Sequence, residues 1–181
     1  MSRLRLVRRL GAVVGIASMM GLAACATPSQ PEMMILPATP GLTASAGDLG
    51  YRSVTSVVVS GGSETNPLWT AQVSNEDLKT ALEGSLAAAG YMGSDGRPMV
   101  VTANMVELNQ PMAGLDMSVT SRIQYSVTSG GNVVFNDTIS ATGTATMSEA
   151  FAGFERLRLA NEKSIKENIK QFITRFRATA R

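Results

Sequence analysis

Residues 115–128 read LDMSVTSRIQYSVT, and the side chains of this stretch alternate between two kinds. One series is largely apolar, whereas the other is polar throughout. Such alternation is typical of a β-strand that has one face in a core and the other in water. The inward series is Leu115, Met117, Val119, Ser121, Ile123, Tyr125 and Val127. The stretch therefore predicts a long antiparallel strand in a sheet with one solvent-exposed face.

Shorter patterns on either side of this stretch predict three further strands. β-branched residues at 54–59, followed by two glycines, predict the first strand. The second strand lies at about 99–108, and the fourth runs from about residue 133 to residue 147. The long stretch at 115–128 is thus the third strand along the chain.

The pairing of the third and fourth strands depends on the turn between them. Placing Val127 opposite Val133 brings the two inward series together, and this requires a three-residue turn at 129–131. Asp137 then falls within the inward series of the fourth strand. We therefore expect a bulge near Asn136 and Asp137 that turns the carboxylate towards water.

Two helices complete the pattern. In the first, at 74–90, Ser74 and Asp77 have the spacing of a capping box, and Gly90 stands where a left-handed residue ends a helix. Its buried stripe is Leu78, Leu82, Leu86 and Ala89. The second helix ends near Arg177, and its stripe is Ile165, Ile169, Phe172, Ile173 and Phe176. The start of this helix stays open, because Arg158 and Asn161 project onto the same face.

The order of these elements, β-α-β-β-β-α, predicts an α+β fold. We expect a two-layer sandwich with one four-stranded, mostly antiparallel sheet and two helices on one face. Residues 51–181 form this single domain. The chain has 181 residues, which leaves room for one such core and an appendage.

The first 24 residues have the character of a secretion signal. Four arginines and no acidic residue lie in residues 1–9, and an uncharged run follows from residue 10 to residue 24. As a helix this run spans about 22 Å, which is short of the roughly 30 Å hydrocarbon core of a bilayer. Residues 1–24 are therefore interpreted as a signal peptide and excluded from the fold.

The end of this segment, Leu22-Ala23-Ala24-Cys25, resembles a bacterial lipobox. The resemblance implies that Cys25 receives a diacylglycerol and an N-acyl chain such as palmitate and becomes the new N-terminus. An ordinary signal followed by a chance cysteine is the alternative. Two or more acyl chains give stable anchoring without a transmembrane helix. By the sorting rule of enteric bacteria, Ala26 after the cysteine favours the outer membrane.

Residues 25–50 are predicted to be a lipidated cysteine and a proline-rich tether. Four of the seven prolines lie here, and a flexible chain of this length reaches about 25–30 Å. The apolar run Met33-Met34-Ile35-Leu36 is the exception. It either docks on the domain or on a partner, or it makes no specific contact.

The composition excludes several kinds of chemistry. The chain has no histidine and one cysteine, so a Ser-His-Asp triad, a zinc hydrolase site and an internal disulfide are impossible. No phosphate-binding glycine motif and no EF-hand start occurs. Removing four arginines with the signal leaves a slightly acidic chain, which argues against a nucleic-acid partner. We therefore expect no enzyme activity, no metal and no cofactor beyond the acyl groups on Cys25.

Two surfaces are candidate contacts for a partner or ligand. The loop at 61–73 contains the only tryptophan, Trp69, together with Asn66 and Pro67. Alternatively, Trp69 only covers the end of the core. The last helix carries a basic stripe, which anionic headgroups or an acidic partner would bind. The alternative is an ordinary solvated face. The stripe consists of Lys163, Lys166, Lys170 and Arg177.

The lipobox, the proline-rich segment and the order of elements together resemble small envelope lipoproteins of Gram-negative bacteria. This group includes the lipopolysaccharide-assembly lipoprotein and the auxiliary lipoproteins of ABC-type lipid transporters. More narrowly, the segments at 66–69, 73–78 and 155–162 look like an uncharacterised lipoprotein family of alphaproteobacteria. The resemblance implies a functional residue only at Cys25.

We accordingly expect a lipoprotein that faces the periplasm, with the outer membrane favoured over the inner. It would serve as a non-enzymatic accessory or binding subunit in cell-envelope assembly or lipid transport. Its partners would be the membrane, through the lipid anchor, and an envelope protein. One alternative is a module that binds peptidoglycan or another glycan through the polar sheet face or the Trp69 loop. Another alternative is a carboxylate-dependent hydrolase.

Overall fold

The computed structural model describes residues 26–66 and 70–179. In chain order its elements are α1 (Pro31–Met34), β1 (Val54–Ser60), α2 (Asn75–Ala88), β2 (Met99–Asn109), β3 (Met117–Ser129), β4 (Asn132–Ala145) and α3 (Gly153–Thr179). Helices α2 and α3 are the two that the sequence predicts. None of the helices in these two ranges is both long and apolar enough to cross a membrane.

The four strands form one sheet in the order β1-β2-β3-β4. β1 and β2 are parallel, because α2 carries the chain back to the starting edge, whereas β2–β3 and β3–β4 are antiparallel. α2 packs on β1, and α3 packs on β3 and β4. The expected α+β fold, with one mixed sheet and helices packed against it, is therefore confirmed.

Helix α2 begins and ends at the residues that the sequence indicates. Ser74 Oγ accepts a hydrogen bond from Asp77 N–H, and the Asp77 carboxylate accepts one from Ser74 N–H. At the other end Gly90 has φ +79°, and Tyr91 N–H donates to Leu86 O over 2.8 Å. These bonds satisfy backbone groups that helix ends otherwise leave without partners. Local sequence alone sets both ends of this helix.

The hairpin between β3 and β4 differs from the expected one. Thr128 pairs with Val133, so the turn is the two residues Gly130 and Gly131, with φ +56° and +83°. Two positive φ angles give the primed turn whose twist suits a hairpin. Val134 is the extra residue of a bulge, after which Val127 pairs with Phe135. The three-residue turn was wrong, because the bulge restores the inward phase instead.

The predicted bulge at Asn136 and Asp137 was also wrong. Both residues continue the ladder, and Asp137 stays in the inward series, opposite Tyr125. Since β4 is an edge strand, this carboxylate reaches past the core to Arg175 of α3, with Oδ2 2.7 Å from Nη1. The hydrogen bond from Arg175 lowers the pKa of Asp137. An ion pair with the helix therefore replaces the expected turn towards water.

Two residues of the predicted inward series lie at the surface. Leu115 precedes β3 and is 75% exposed, and Val133 next to the turn is 62% exposed. The rest of the apolar inward series is buried, as are the stripes of α2 and α3. The alternation predicts the middle of each strand correctly and fails only at its ends.

Helix α3 crosses β4 at very short range. A Cβ atom added to Gly143 would lie 2.2 Å from Ser164 N and 2.5 Å from Ala160 O. Beside this crossing Ser164 Oγ donates to Ala141 O, and Asn168 Nδ2 donates to Ile139 O. A glycine at this position lets the helix backbone reach the sheet, which explains how small polar groups are buried between them.

Residues 26–50 pack against the domain, in contrast to the flexible tether expected from their proline content. Met34 is fully buried, Leu36 is 7% exposed, and both belong to the main core. Leu36 N–H donates to Ser85 Oγ over 2.9 Å, and Ile35 lies where a side chain on Gly84 would be. We call residues 26–50 the strap. Of the two open interpretations of the apolar run, docking on the domain is the one observed.

Candidate functional site

Three of the predicted site residues, Cys25, Pro67 and Trp69, lie outside the described residues. The fourth residue of this group, Asn66, forms a pair of backbone hydrogen bonds with Thr70, of 3.2 and 3.1 Å. The loop that carries Trp69 is therefore closed at its base. A closed base positions this loop relative to the sheet.

Gln110, which directly follows β2, holds the loop base against the domain. Its Oε1 accepts from Thr70 Oγ1 over 2.8 Å, and its Nε2 donates to Ala71 O over 2.8 Å. Nε2 also donates to Oδ1 of Asn161, whose Nδ2 in turn donates to Ala71 O over 3.0 Å. Amide side chains from two other parts of the chain thus fix the loop at the end of the sheet where β1 and β2 finish.

The first residues of the strap join the same network. Ser29 N–H donates to Gln72 O over 3.4 Å, and Gln72 Nε2 lies 3.3 Å from Gln110 Oε1. Ala26 is 7% exposed, so the chain is already packed at the first described residue. Ala26, the residue that follows Cys25 in the sequence, therefore belongs to the packed part of the chain.

A buried carboxylate also holds the strap at this end. Gln30 N–H donates to Glu162 Oε1 over 2.8 Å, and Arg158 Nη1 lies 2.5 Å from the same oxygen. Burial raises the pKa of Glu162, although the Gln30 N–H and Arg158 partly offset the effect. On the other side Arg158 binds Glu155. The arginine that blurred the predicted start of α3 is therefore a paired core residue.

A second arginine, Arg156, ties together two loops that carry exposed apolar side chains. Its Nη1 donates to Phe151 O over 2.5 Å and to Ala150 O over 2.9 Å, and its Nη2 donates to Gly114 O over 3.3 Å. Arg156 itself is 6% exposed. We call the connections at 110–116 and 146–152 the rim loops. Four of their residues are exposed large apolar side chains: Met112 (104%), Leu115 (75%), Met147 (42%) and Phe151 (88%).

The basic stripe does not form a free cationic surface. Lys163 Nζ lies 2.5 Å from Glu149 and donates to Thr144 O, and Lys170 lies 2.9 Å from Glu167. Arg177 donates to Gly41 O of the strap and lies 3.7 Å from Asp48. Among the residues that the structure describes, Lys166 is the one of the four that lies outside an ion pair. The alternative of a structural, solvated stripe accounts for these contacts better than an anion-binding face does.

The face of the sheet opposite the helices is polar, as the alternation predicts. Ser118 pairs with Thr144 and Thr120 with Thr142 through hydroxyl contacts of 2.9 and 2.8 Å. Arg122 lies 3.3 Å from Glu107 across the strands. The hydroxyl groups of this ladder bind one another, which leaves fewer of them available to a ligand.

The described residues contain no group of three or more histidine, cysteine or acidic side chains that would hold a metal ion. Two carboxylates of α3, Glu155 and Glu162, share Arg158. An arginine between two carboxylates neutralises them and fills the space that a substrate would need. This arrangement gives no support to the carboxylate-dependent hydrolase.

Sequence reasoning missed Gln110, Arg156 and Glu162. An isolated glutamine in a loop carries no recognisable signal. Glu162 gave a weak one, since it falls beside the buried face of the predicted helix and a buried charge needs a partner. Arg156 falls on the opposite side of that helix and gave no signal.

No protein-family model matches the chain, and no curated protein sequence matches it. Solved structures do share its fold. A protein of the DUF330 family from Xanthomonas campestris has 11% identity and a TM-score of 0.52, with 80% of this chain and 95% of that one covered. The PelC dodecamer from Paraburkholderia phytofirmans has 15% identity and a TM-score of 0.50, with 75% and 93% covered.

A third structure is described as a "putative lipoprotein" from Caulobacter crescentus. It has 12% identity and a TM-score of 0.51, with 74% of this chain and 94% of that one covered. The TM-scores show that these proteins share the fold of this chain. Identities this low give no information about its activity. The fold is thus one that occurs in a bacterial protein described as a lipoprotein, and a lipid-anchored envelope protein agrees with this finding.

Proposed function

We propose that this protein is a periplasm-facing lipoprotein, anchored through acylated Cys25, that acts as a non-enzymatic binding subunit in cell-envelope assembly or lipid transport. The observation that carries the proposal is the position of Cys25. In the sequence it directly follows a short signal-like segment, and the next residue, Ala26, is buried. Outer-membrane location is part of the proposal and rests on Ala26 following the cysteine.

Substitution of the lipobox cysteine tests the anchor. In wild-type cells grown with labelled palmitate, we expect a processed protein that carries the label and partitions with membranes. Cys25→Ser should remain unprocessed and unlabelled, since no thiol is left to receive diacylglycerol. Ala26→Ser changes the neighbouring residue without removing the thiol and serves as the control. Processed, labelled Cys25→Ser protein would overturn the proposed anchor.

The partner is proposed to be an envelope protein, as the resemblance to assembly and transport lipoproteins suggests. Crosslinking in intact cells, followed by purification from detergent-solubilised membranes, tests this. We expect one specific membrane protein to be recovered with the wild type and lost when the loop at 61–73 is substituted. Separation of the membranes on a density gradient tests the outer-membrane location.

The alternative is a module that binds peptidoglycan or another glycan through the polar sheet face or the Trp69 loop, and its test begins with the sheet face. If it holds, purified sacculi should retain the protein, and Thr120→Val with Thr142→Val should release it. Retention on sacculi without any crosslinked membrane protein would replace the accessory role by this one. The mutual pairing of the hydroxyl groups is the reason for placing it second.

A further inference from the structure

Several exposed apolar side chains of this protein lie together at one end of the sheet. Nine large apolar residues are exposed among the described residues, and four of them lie on the two rim loops. Beneath them is a separate small cluster of buried apolar residues formed by Met117, Val119, Ala145, Leu157 and Ala160. The rim loops thus rest on their own packed support, and Arg156 joins them to each other.

The strap begins at this same end. The path runs from Ser29 to Gln72 and on to Gln110, which is two residues before exposed Met112. Ala26 is packed and directly follows Cys25 in the sequence. No flexible linker therefore separates an anchor at Cys25 from this end of the domain. An anchor at Cys25 therefore brings the rim loops to the surface in which its acyl chains are embedded.

The rim loops lack the basic residues with which a protein binds anionic lipid headgroups. Residues 110–116 and 146–152 include two acidic residues, Asp116 and Glu149, and no basic one. Glu149 is already paired with Lys163. Electrostatic attraction to anionic headgroups is therefore not the source of binding, whereas aromatic and aliphatic side chains at loop tips bury themselves at the headgroup boundary.

From this geometry we propose that the rim loops form a second membrane contact, in which Met112, Leu115 and Phe151 enter the lipid surface beside the acyl anchor. The domain then stands on the bilayer in one orientation, with the Gly130–Gly131 hairpin pointing away from it. This inference rests on the proposed acylation of Cys25. It deepens that proposal by naming lipid as the ligand of the rim loops.

Single thiols on the full-length acylated protein test the contact, because Cys25 is the only cysteine. Phe151→Cys and, as matched control, Val133→Cys place a thiol at an exposed apolar position at opposite ends of the sheet. Each protein is labelled with an environment-sensitive fluorophore and reconstituted in neutral phosphatidylcholine vesicles that contain spin-labelled lipid. Far-UV circular dichroism checks that both variants fold.

We expect blue-shifted emission and strong quenching at position 151, and little of either at position 133. High salt should leave the quenching unchanged, since the contact is apolar. Phe151→Asp, combined with a label at Leu115→Cys, should reduce the quenching at position 115. Equal signals at positions 151 and 133, or quenching that salt abolishes, would overturn the inference. So would labels that are shielded in intact cells but unquenched in vesicles, because a protein partner would then cover the loops.

The wild-type chain separates the two proposals. If Cys25 is acylated, the wild type does not take up the thiol label, and the vesicle result judges the rim loops alone. If the wild type is labelled, the acylation itself has failed, whatever the loops do.

Discussion

The absence of a side chain at Gly143 allows α3 and the sheet to approach each other closely. Gly143 has no positive φ, so its role is spatial rather than conformational: the backbone of α3 occupies the place of its side chain. The buried polar groups beside it depend on that approach. Ser164 and Asn168 bind carbonyl groups of β4, and Tyr125 donates to Asn168 Oδ1 over 3.0 Å. Burial raises the pKa of Tyr125, which keeps it a neutral donor.

Gly143→Ala is expected to destabilise the protein by about 3 kcal/mol, at the upper end of the range for overpacking, because a backbone-to-backbone contact must open. Chemical denaturation followed by circular dichroism measures the change. Gly47→Ala is the matched control, since no heavy atom lies within 4 Å of an added Cβ there. Equal stability of the two variants would show that α3 is not tightly seated on β4.

Glu162 gives the stability a specific pH dependence. Its pKa in the folded protein is raised above the ordinary value of 4.5, so the folded state holds the proton more tightly than the unfolded chain does. The stabilising contribution of Glu162 to the free energy of unfolding is therefore fully present below pH 4.5 and is lost as the pH rises through the raised pKa of the folded protein.

Comparison of Glu162→Gln with the wild type isolates this effect. As the pH increases above 4.5, the free energy of unfolding of the wild type should fall relative to that of the variant. Urea denaturation at several pH values provides the measurement, and Glu167→Gln on the surface is the control. If the free energies of unfolding of the wild type and Glu162→Gln change with pH in parallel, the carboxylate does not have the buried environment assigned to it.

At the scale of elements, the strap is the least expected feature. Proline-rich composition predicts a linker, yet one short helix with an apolar residue on its buried side docks on α2 and α3. The first turn begins with Pro31, a position that proline favours in helices. Composition describes the average of a segment, whereas docking depends on a few side chains that find a complementary groove.

Met34→Ala should lower the free energy of unfolding by about 2–5 kcal/mol, because the side chain is fully buried in the main core. Met33, its neighbour, is 51% exposed, so Met33→Ala should change it by less than about 0.5 kcal/mol. Thermal or urea denaturation of the two variants compares the same Met→Ala substitution at a buried and an exposed position. Similar small effects would mean that the strap does not contribute to the core.

The β3–β4 hairpin shows where prediction from a pattern stops. Alternation identifies the strands and their inward sides, since each side chain is judged against its own neighbours. The register of the two strands also depends on the length of the turn and on any bulge. Here the turn is one residue shorter than expected, and the bulge adds one residue to β4, so the inward and outward sides of β4 are restored beyond the bulge. That is why the two-residue turn and the bulge at Val134 were missed, although Ile139 and Ala141 were predicted correctly.

Across the whole molecule, the two ends of the sheet differ in chemistry. One end is a compact glycine hairpin. The other gathers the base of the Trp69 loop, the start of the strap and the rim loops, through hydrogen bonds from Gln110, Arg156 and Asn161. Since the strap starts at that second end, the proposed anchor at Cys25 would define which end meets the membrane.

The elements, their buried sides, the caps of α2 and the α+β class could all be predicted from the amino-acid sequence, because these depend on contacts between residues near one another in the chain. The signal-like segment and Cys25 are local in the same way. The docking of the strap, the partners of Arg156 and Glu162, and the clustering of apolar loop tips became known from the three-dimensional fold. Each of these joins residues far apart in sequence, and no local pattern records which distant side chain lies within reach.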